Sequence, residues 1–321
     1  MKVLIVQLGR IGDTVLTTPL FKVLKEKIEN LELHVLSGRN NYHFLLEHPF
    51  VDKVFIYDKK IVSSIRMISN IRKIEYDYWI DIKDHPSTES MLLAKLGKAK
   101  TKIGFNGEKH IFDIDPHTEY KLKYEHYVEV ALRPVKYLNI HLEDRRIRPN
   151  LFENDKSKQK LTQFLSMNNI DNYYCLNNSA TADSRMLQRE KWHVLLDQIN
   201  QEGKKCLLIS DPKTTISAKK LSSKYKNIFY YPTTSIIDVF SVVKNSELVI
   251  TVDTSIVHIA SAFNKTQLCF YTNLPNKIIE FSPLSDKYKL VKSPNEGDSV
   301  SDIKIEDVLR NYNQLSAEIN G

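Results

Sequence analysis

Three short segments carry most of the chemistry open to this chain. The first, QLGRIGDTVLTTP at residues 7–19, sets Asp13 behind Gly9-Arg10-Ile11-Gly12, where an apolar run at 3–8 gives way to a helical pattern. The glycines let the backbone turn sharply and approach a ligand closely. A carboxylate near a helix start is kept ionised by the helix dipole. A simple N-cap, a position Asp favours, is the plain reading. The segment has no GxGxxG and no GK[ST], so it is neither a dinucleotide fingerprint nor a P-loop.

The second segment, VITVDTSIVHIASAF at 249–263, ends a strand at Asp253 and opens a helix at Thr254-Ser255. Free amides at a helix start form an anion site, and His258 lies one turn further in, able to face the same anion. A nucleotide diphosphate is the natural ligand; a plain cap and a surface histidine are the alternative. The third, NNSATADSRMLQREKWHVLL at 177–196, offers Ser179, Thr181 and Arg185 to phosphate oxygens, Arg185 with a forked and permanent charge. Its alternative is an ordinary polar connection. Asp113-Ile114-Asp115 has the DxD spacing by which some sugar-transferring enzymes hold a metal-bound diphosphate. It runs into Pro116 and follows no strong strand, so it is discounted. With no convincing His/Cys cluster and no GxSxG turn, no metal and no cofactor is expected.

The elements that position these segments alternate in type. Strands are expected at 3–8, 32–37, 53–57 and 78–82, with helices near 14–28, 40–47, 60–74, 87–97 and 124–139. A polar patch near 144–157, with Pro149, interrupts the pattern. It restarts with a helix at 156–168, strands at 173–177, 205–210, 228–231, 247–252 and 267–271, and helices near 190–202, 214–225, 235–244 and 255–263. The stretch 304–318 closes the chain with apolar residues at helical spacing. Two successive β-α-β series make an α/β protein of two Rossmann-like halves, with ligands beyond the carboxyl ends of the strands.

Bulk properties agree. A chain of 321 residues suits two domains. Its net charge is +7, and residues 1–150 hold 25 Lys and Arg against 20 Asp and Glu. A basic half attracts nucleic acid, an anionic membrane surface or an acidic substrate; scattered solvated lysines are the plain reading. Cys175, Cys206 and Cys269 each fall in a strand-like run with no CxxC spacing, which points to a reducing compartment. The first apolar run is too short for a signal peptide, and no stretch is long enough for a membrane span. A cytoplasmic protein is expected, one able to rest on the inner face of a membrane.

In this order the segments resemble glycosyltransferase family 9, the heptosyltransferase family. The similarity rests on GRIGDTVLTTP after the first strand, YDYWIDIKD at 76–84, KIGF at 102–105, SRMLQREKW at 184–192 and VDTSIVHIASA at 252–262, and spans nearly the whole chain. The resemblance implies a GT-B fold, two Rossmann-like domains with parallel sheets facing a central cleft. Residues 1–150 would bind the acceptor, 151–303 the donor, and 304–321 would pack back on the first domain. It implies an inverting, metal-independent transfer of a sugar from a nucleotide-diphosphate donor, ADP-heptose above all, to a lipopolysaccharide or lipooligosaccharide core. That acceptor is lipid-anchored and anionic, so contact with the inner membrane surface is expected and nucleic acid is not. Asp13 matches the general base. Arg185 matches the cation at the diphosphate, Thr181 a polar contact beside it, with Ser179 in the same loop. Asp253, Thr254, Ser255 and His258 match the donor turn. Arg10, Thr14, Asp84 and His85 fall on the acceptor side. The chain departs from the family where many members have Pro-Gly (here 177–179, Asn-Asn-Ser), Gly after the Asp-Thr pair (here Ser255) and Gly-Pro-Thr-Asp-Pro (here 271–275), all on the donor side. Another nucleotide-sugar donor, a nucleotide-sugar epimerase and a non-catalytic nucleotide-sugar binder are the alternative readings.

Overall fold

Apolar runs bounded by polar turns become buried parallel strands in both halves of the chain. The computed structural model describes residues 1–107, 110–118, 124–142 and 147–320, so the start of the polar patch, 144–146, lies outside the described residues. The chain divides into two units, Met1–Asn150 and Leu151–Gly321. The first holds β1 (Lys2–Gln7), β2 (Glu32–Gly38), β3 (Lys53–Tyr57), β4 (Tyr78–Asp81) and β5 (Thr101–Ile103). They form one parallel sheet in the order β3-β2-β1-β4-β5. Val3 to Val6 of β1 are buried without a break, as a central strand covered on both faces requires.

Helices α1 (Ile11–Lys27), α2 (Ile61–Arg72), α3 (Thr88–Leu96) and α4 (Tyr127–Leu132) complete the unit. The threonines of TVLTTP explain how α1 tolerates Pro19 inside it. Pro19 has no amide to give the Val15 carbonyl, and the Thr18 hydroxyl donates to that carbonyl at 2.7 Å instead. Thr18 Oγ1 in turn accepts the Asn150 amide at 2.8 Å, tying the end of the unit to its first helix.

The second unit holds α5 (Asp155–Met167), β6 (Tyr174–Asn177), α6 (Arg189–Gln201), β7 (Cys206–Ile209), α7 (Thr215–Ser222), β8 (Ile228–Tyr230), α8 (Ile236–Lys244), β9 (Leu248–Val252), α9 (Ser255–Ala262), β10 (Thr266–Asn273), α10 (Pro275–Phe281), β11 (Tyr288–Glu296) and α11 (Ile305–Asn320). Its strands are parallel in the order β11-β10-β9-β6-β7-β8. Val308, Tyr312 and Leu315 of α11 are buried in the core of the second unit with Trp192, Leu195, Phe270 and Val291. The three cysteines are free and buried.

Departures from the expected elements have local causes. The helix near 40–47 is only a 3-10 turn, His43–Leu45. The helix at 124–139 is α4 followed by a 3-10 stretch, Arg133–Leu138, because Pro134 cannot continue α-helical bonding. Strands β5 and β11 went unforeseen. Both lie at sheet edges, where three residues or a run interrupted by Pro294 can still pair.

Gly97, at the end of α3, shows how tightly the first core closes. Its backbone angles suit any residue, yet a Cβ there would overlap the six-membered ring of the buried Trp79. Gly97→Ala should therefore cost about 1–3 kcal/mol of overpacking strain. Urea unfolding followed by Trp79 fluorescence, in a Trp192→Phe background, checks this; an unchanged midpoint would show that the ring can move aside.

Candidate active site

In each sheet the strand order reverses between two neighbours, β1 and β4 in the first unit, β6 and β9 in the second. The loops leaving two such strands part to opposite faces and open a crevice at their carboxyl ends. Every segment singled out from the sequence as chemically capable, apart from the DxD, leaves one of these four strands.

After β1 the chain passes through Leu8 and Gly9 into α1. Arg10, not Asp13, holds the N-cap position, and Asp13 is the third residue of the helix. This corrects the simple-cap reading. The Asp13 carboxylate accepts the Arg10 amide at 2.7 Å, closing the helix start from inside. Gly9 is needed for close approach, since a Cβ there would overlap that carboxylate and the Gln7 amide group. Gln7 fixes the turn: its carbonyl oxygen accepts the Gly9 amide at 2.9 Å and its nitrogen donates to Thr17 Oγ1 at 2.7 Å. Burial raises the Asp13 pKa above the usual carboxylate value, opposed by the Arg10 amide and by the charges of Arg10, Lys83 and His85. Asp13 is thus a partly desolvated carboxylate that feels charges from the β1 and β4 loops.

On the β4 side, Asp81 pairs in register with Val6 of β1 and is buried. Asp84 and His85 follow it, joined by a 2.9 Å contact between His85 Nδ1 and Asp84 Oδ1 on the exposed side of the loop. Tyr127 of α4 bonds the Gln7 side chain, and its hydroxyl feels Asp13, Asp84 and Asp81, while burial pushes its pKa up. Thr14 is buried, with its hydroxyl donating back to the Arg10 carbonyl at 3.1 Å, so its side chain serves the helix start.

In the second unit, Asp253 follows β9 and Arg185 lies in a 3-10 turn, Asp183–Arg185, after β6. Arg185 Nη1 stands 3.3 Å from Asp253 Oδ2. Burial raises the Asp253 pKa, and Arg185 and Lys277 of α10 oppose the rise. Thr254 caps α9, its hydroxyl accepting the Ile256 amide at 3.3 Å. Ser255 is the first helical residue. His258 is buried one turn in, its ring 6.1 Å from that of Phe281. Thr181 is exposed on the loop. Ser179 is buried and its hydroxyl is already engaged, donating to Asn177 Oδ1 at 2.8 Å and accepting the Asp211 amide at 3.2 Å.

Three contributors escaped the sequence reading. Asn177 replaces the family's turn residues, and its Nδ2 donates to the Ser179 carbonyl, Thr251 Oγ1 and Thr254 Oγ1 at 3.1, 3.0 and 3.2 Å, joining the β6 and β9 loops. The departure from the family pattern was its signal. Lys277 arrives on a helix that the sequence did not announce. Lys83 sits inside YDYWIDIKD without a distinguishing pattern. The DxD carboxylates are structural: Asp113 accepts the Lys102 amide at 2.7 Å, and Asp115 accepts the amides of Asn106 and His117 at 3.1 and 2.9 Å.

Burial raises the Asp81 carboxyl to about 7, against the pull of the Lys83 amide and of the Lys83 and His85 charges. The folded chain therefore keeps a proton that the unfolded chain loses near pH 4, and this group's contribution to stability falls as pH rises from about 4 to about 7. Asp81→Asn keeps an acceptor for the Lys83 amide. Its unfolding free energy relative to the natural chain should grow by more than about 1 kcal/mol between pH 5 and pH 8. A difference independent of pH, in denaturant titrations at both values, would contradict this.

Comparison with known proteins gives the family and the fold. The sequence pattern of glycosyltransferase family 9 (heptosyltransferase) matches residues 64–312. Lipopolysaccharide heptosyltransferase 1 of Campylobacter coli is 22% identical over 346 residues, covering 98% of this chain and 99% of that protein. The family 9 glycosyl transferase of Veillonella parvula superposes with a TM-score of 0.81 at 15% identity, over 99% of this chain and 97% of that one. E. coli heptosyltransferase WaaC with ADP-2-deoxy-2-fluoro heptose superposes with a TM-score of 0.77 at 17% identity, over 98% and 99% of the two chains. The architecture is the GT-B fold of these enzymes, and the protein is a glycosyltransferase that belongs to glycosyltransferase family 9, the heptosyltransferase family of lipopolysaccharide core synthesis.

Proposed function

We propose that this protein transfers heptose from ADP-heptose to an anionic, lipid-anchored lipopolysaccharide or lipooligosaccharide core, with inversion, without a metal, and with Asp13 as the general base. The observation that carries the reading is the Asp13 carboxylate, fixed by the Arg10 amide at the reversal point of the first sheet and partly desolvated there. A sugar hydroxyl is a poor nucleophile at neutral pH. A carboxylate within hydrogen-bond reach takes its proton as oxygen attacks the anomeric carbon. Desolvation brings the base's pKa closer to the working pH, opposed by the Arg10 amide and by the charges of Arg10 and Lys83.

The leaving ADP gains negative charge as the glycosidic bond breaks. Arg185, Lys277 and the first amides of α9, behind Thr254 and Ser255, supply positive charge and N–H donors for it. Asp253 orients Arg185, His258 backs the first turn of α9, and Thr181 extends the loop toward the donor. Ser179 shapes that loop through Asn177. The structural relative solved with ADP-2-deoxy-2-fluoro heptose supports an ADP-sugar donor. Arg10, Asp84 and His85 face the acceptor, with Thr14 supporting Arg10 from within α1. No helix among the described residues is long and apolar enough to cross a membrane. A cytoplasmic enzyme resting on the inner face of the inner membrane fits the lipid-anchored acceptor.

Asp13→Asn tests the base directly, because the amide oxygen can still accept from Arg10 and preserve the helix start. Transfer should fall by about 10²–10⁴-fold, while the rise in melting temperature on adding ADP stays as in the natural chain. Full turnover by Asp13→Asn would remove Asp13 from the mechanism, and stabilisation by UDP or GDP species alone would replace the donor. The pH profile supplies a second check. The acidic limb of kcat/KM should lie above the usual Asp value of 3.8, the direction in which burial moves Asp13. Lys83→Met, which removes an opposing charge, should move that limb further up; a limb that stays in place would exclude Lys83 from the electrostatics of the base.

A further inference from the structure

Singly exposed apolar side chains are ordinary on any protein surface; three on adjoining turns of one helix are not. At the start of α2, Ile61, Val62 and Ile65 are 78, 71 and 66% exposed. The adjoining stripe of the same helix, Met67, Ile68 and Ile71, is buried in the core, with Ile68 in line with Ile61 and Ile65 at helical spacing. Hence the apolar surface of α2 is wider and longer than the core covers, and its first turns lie open. Lys59, Lys60 and Arg66, all exposed, flank the outer face, Arg72 and Lys73 follow at its far end, and α2 carries no carboxylate at all. Asp58, just ahead of the helix, is occupied in its start, accepting the Lys60 amide at 3.0 Å and the Ser63 hydroxyl.

The position of this face is fixed by the topology. Because β3 and β4 run parallel to β1, α2 begins at the same edge of the sheet as Asp13 and the 83–85 loop. Lys59 Nζ pairs with Glu89 Oε1 at 2.7 Å, setting the start of α2 beside the start of α3, which follows that loop. Leu92, one turn beyond Glu89, is 54% exposed and extends the apolar surface onto α3.

We propose that Ile61, Val62 and Ile65, ringed by Lys59, Lys60 and Arg66, dock the first unit on the anionic surface of a phospholipid leaflet. Apolar side chains enter the headgroup boundary while the long basic chains bury their stems and keep their charges at the phosphates. Charge complementarity selects the occupant: a leaflet offers apolar depth and negative charge together, over a plane, and this face offers the counterpart of both. The docked turn would hold the Asp13 edge of the sheet at the leaflet, where a lipid-anchored acceptor resides. That purpose rests on the proposed acceptor, but vesicle binding can be tested without donor or acceptor.

The test is co-sedimentation of the full chain with vesicles of phosphatidylethanolamine and phosphatidylglycerol, against vesicles of phosphatidylcholine, over a range of salt. The natural chain should partition onto the anionic vesicles and be released progressively by salt. The triple variant Ile61→Ser/Val62→Ser/Ile65→Ser should lose partitioning by more than about tenfold at every salt concentration. Lys60→Glu/Arg66→Glu, at polar positions that the fold does not use, should lose about fivefold or more for each cation, chiefly at low salt. Melting temperatures of both variants report that the fold is intact, and transfer to a detergent-free, delipidated acceptor should be unchanged in both. Undiminished vesicle binding by the triple variant, equal binding to phosphatidylcholine, or no binding by the natural chain would each overturn the proposal. So would a natural dimer that the triple variant converts to monomer in sedimentation velocity, which would assign the face to a second copy of the chain. Loss of transfer by Asp13→Asn with vesicle binding retained, or the reverse, separates failure of the catalytic reading from failure of this one.

Discussion

A parallel sheet covered by helices on both faces leaves charge no place except at the ends of its strands. Both sheets here obey that constraint. Val3 to Val6 and Leu248 to Val252 are buried throughout, and the first polar groups after them are Gln7 and Asp253. Strand order reverses beside both of these strands, so the polar ends are also the places where loops diverge and leave room. The arrangement concentrates amides, carboxylates and cations at the carboxyl edge of each sheet and nearly nowhere else within the cores.

The same constraint sets the electrostatics. A carboxylate at a strand end is half desolvated by the sheet it leaves, which raises its pKa, and half compensated by amides and cations from the neighbouring loop. Asp253, next after its strand, strikes this balance against Arg185 and Lys277, and Asp13, in the first turn of the helix after β1, against Arg10, Lys83 and His85. Asp81 lies one position deeper, at the last residue of its strand. There burial prevails and the proton stays on to about 7. Depth at the sheet edge separates a carboxylate ready to accept a proton from one that keeps its own.

Holding such loops in place falls to neutral side chains that bridge strands. Gln7 ties the Gly9 amide to Thr17, and Asn177 ties the β6 turn to Thr251 and Thr254. Each is a buried amide with donors and acceptors used in opposite directions, an arrangement costly to leave half-made. They allow the charged residues to remain exposed enough to meet a substrate while the backbone beneath them stays fixed.

The sequence alone determined the alternation of strand and helix, and pointed to the loops that carry Asp13, Arg185 and Asp253, because apolar periodicity and turn residues are local signals. It also carried the discounting of the DxD, whose following Pro116 and weak preceding strand are visible in order along the chain. Tertiary structure decided the rest. Asp13 proved to be the third residue of its helix because Arg10 adopts the extended cap geometry, a matter of backbone angles that Asp and Arg do not announce. Lys83 and Lys277 became partners of the two carboxylates only through strand order and the insertion of α10, which bring together residues far apart in the chain. Asn177 acquired its role from the pairing of β6 with β9, and Asp81 its retained proton from the depth of β4. Hydrophobic periodicity is written residue by residue, but the desolvation and charge around a group depend on what the fold sets beside it, and that is settled only when the sheets assemble.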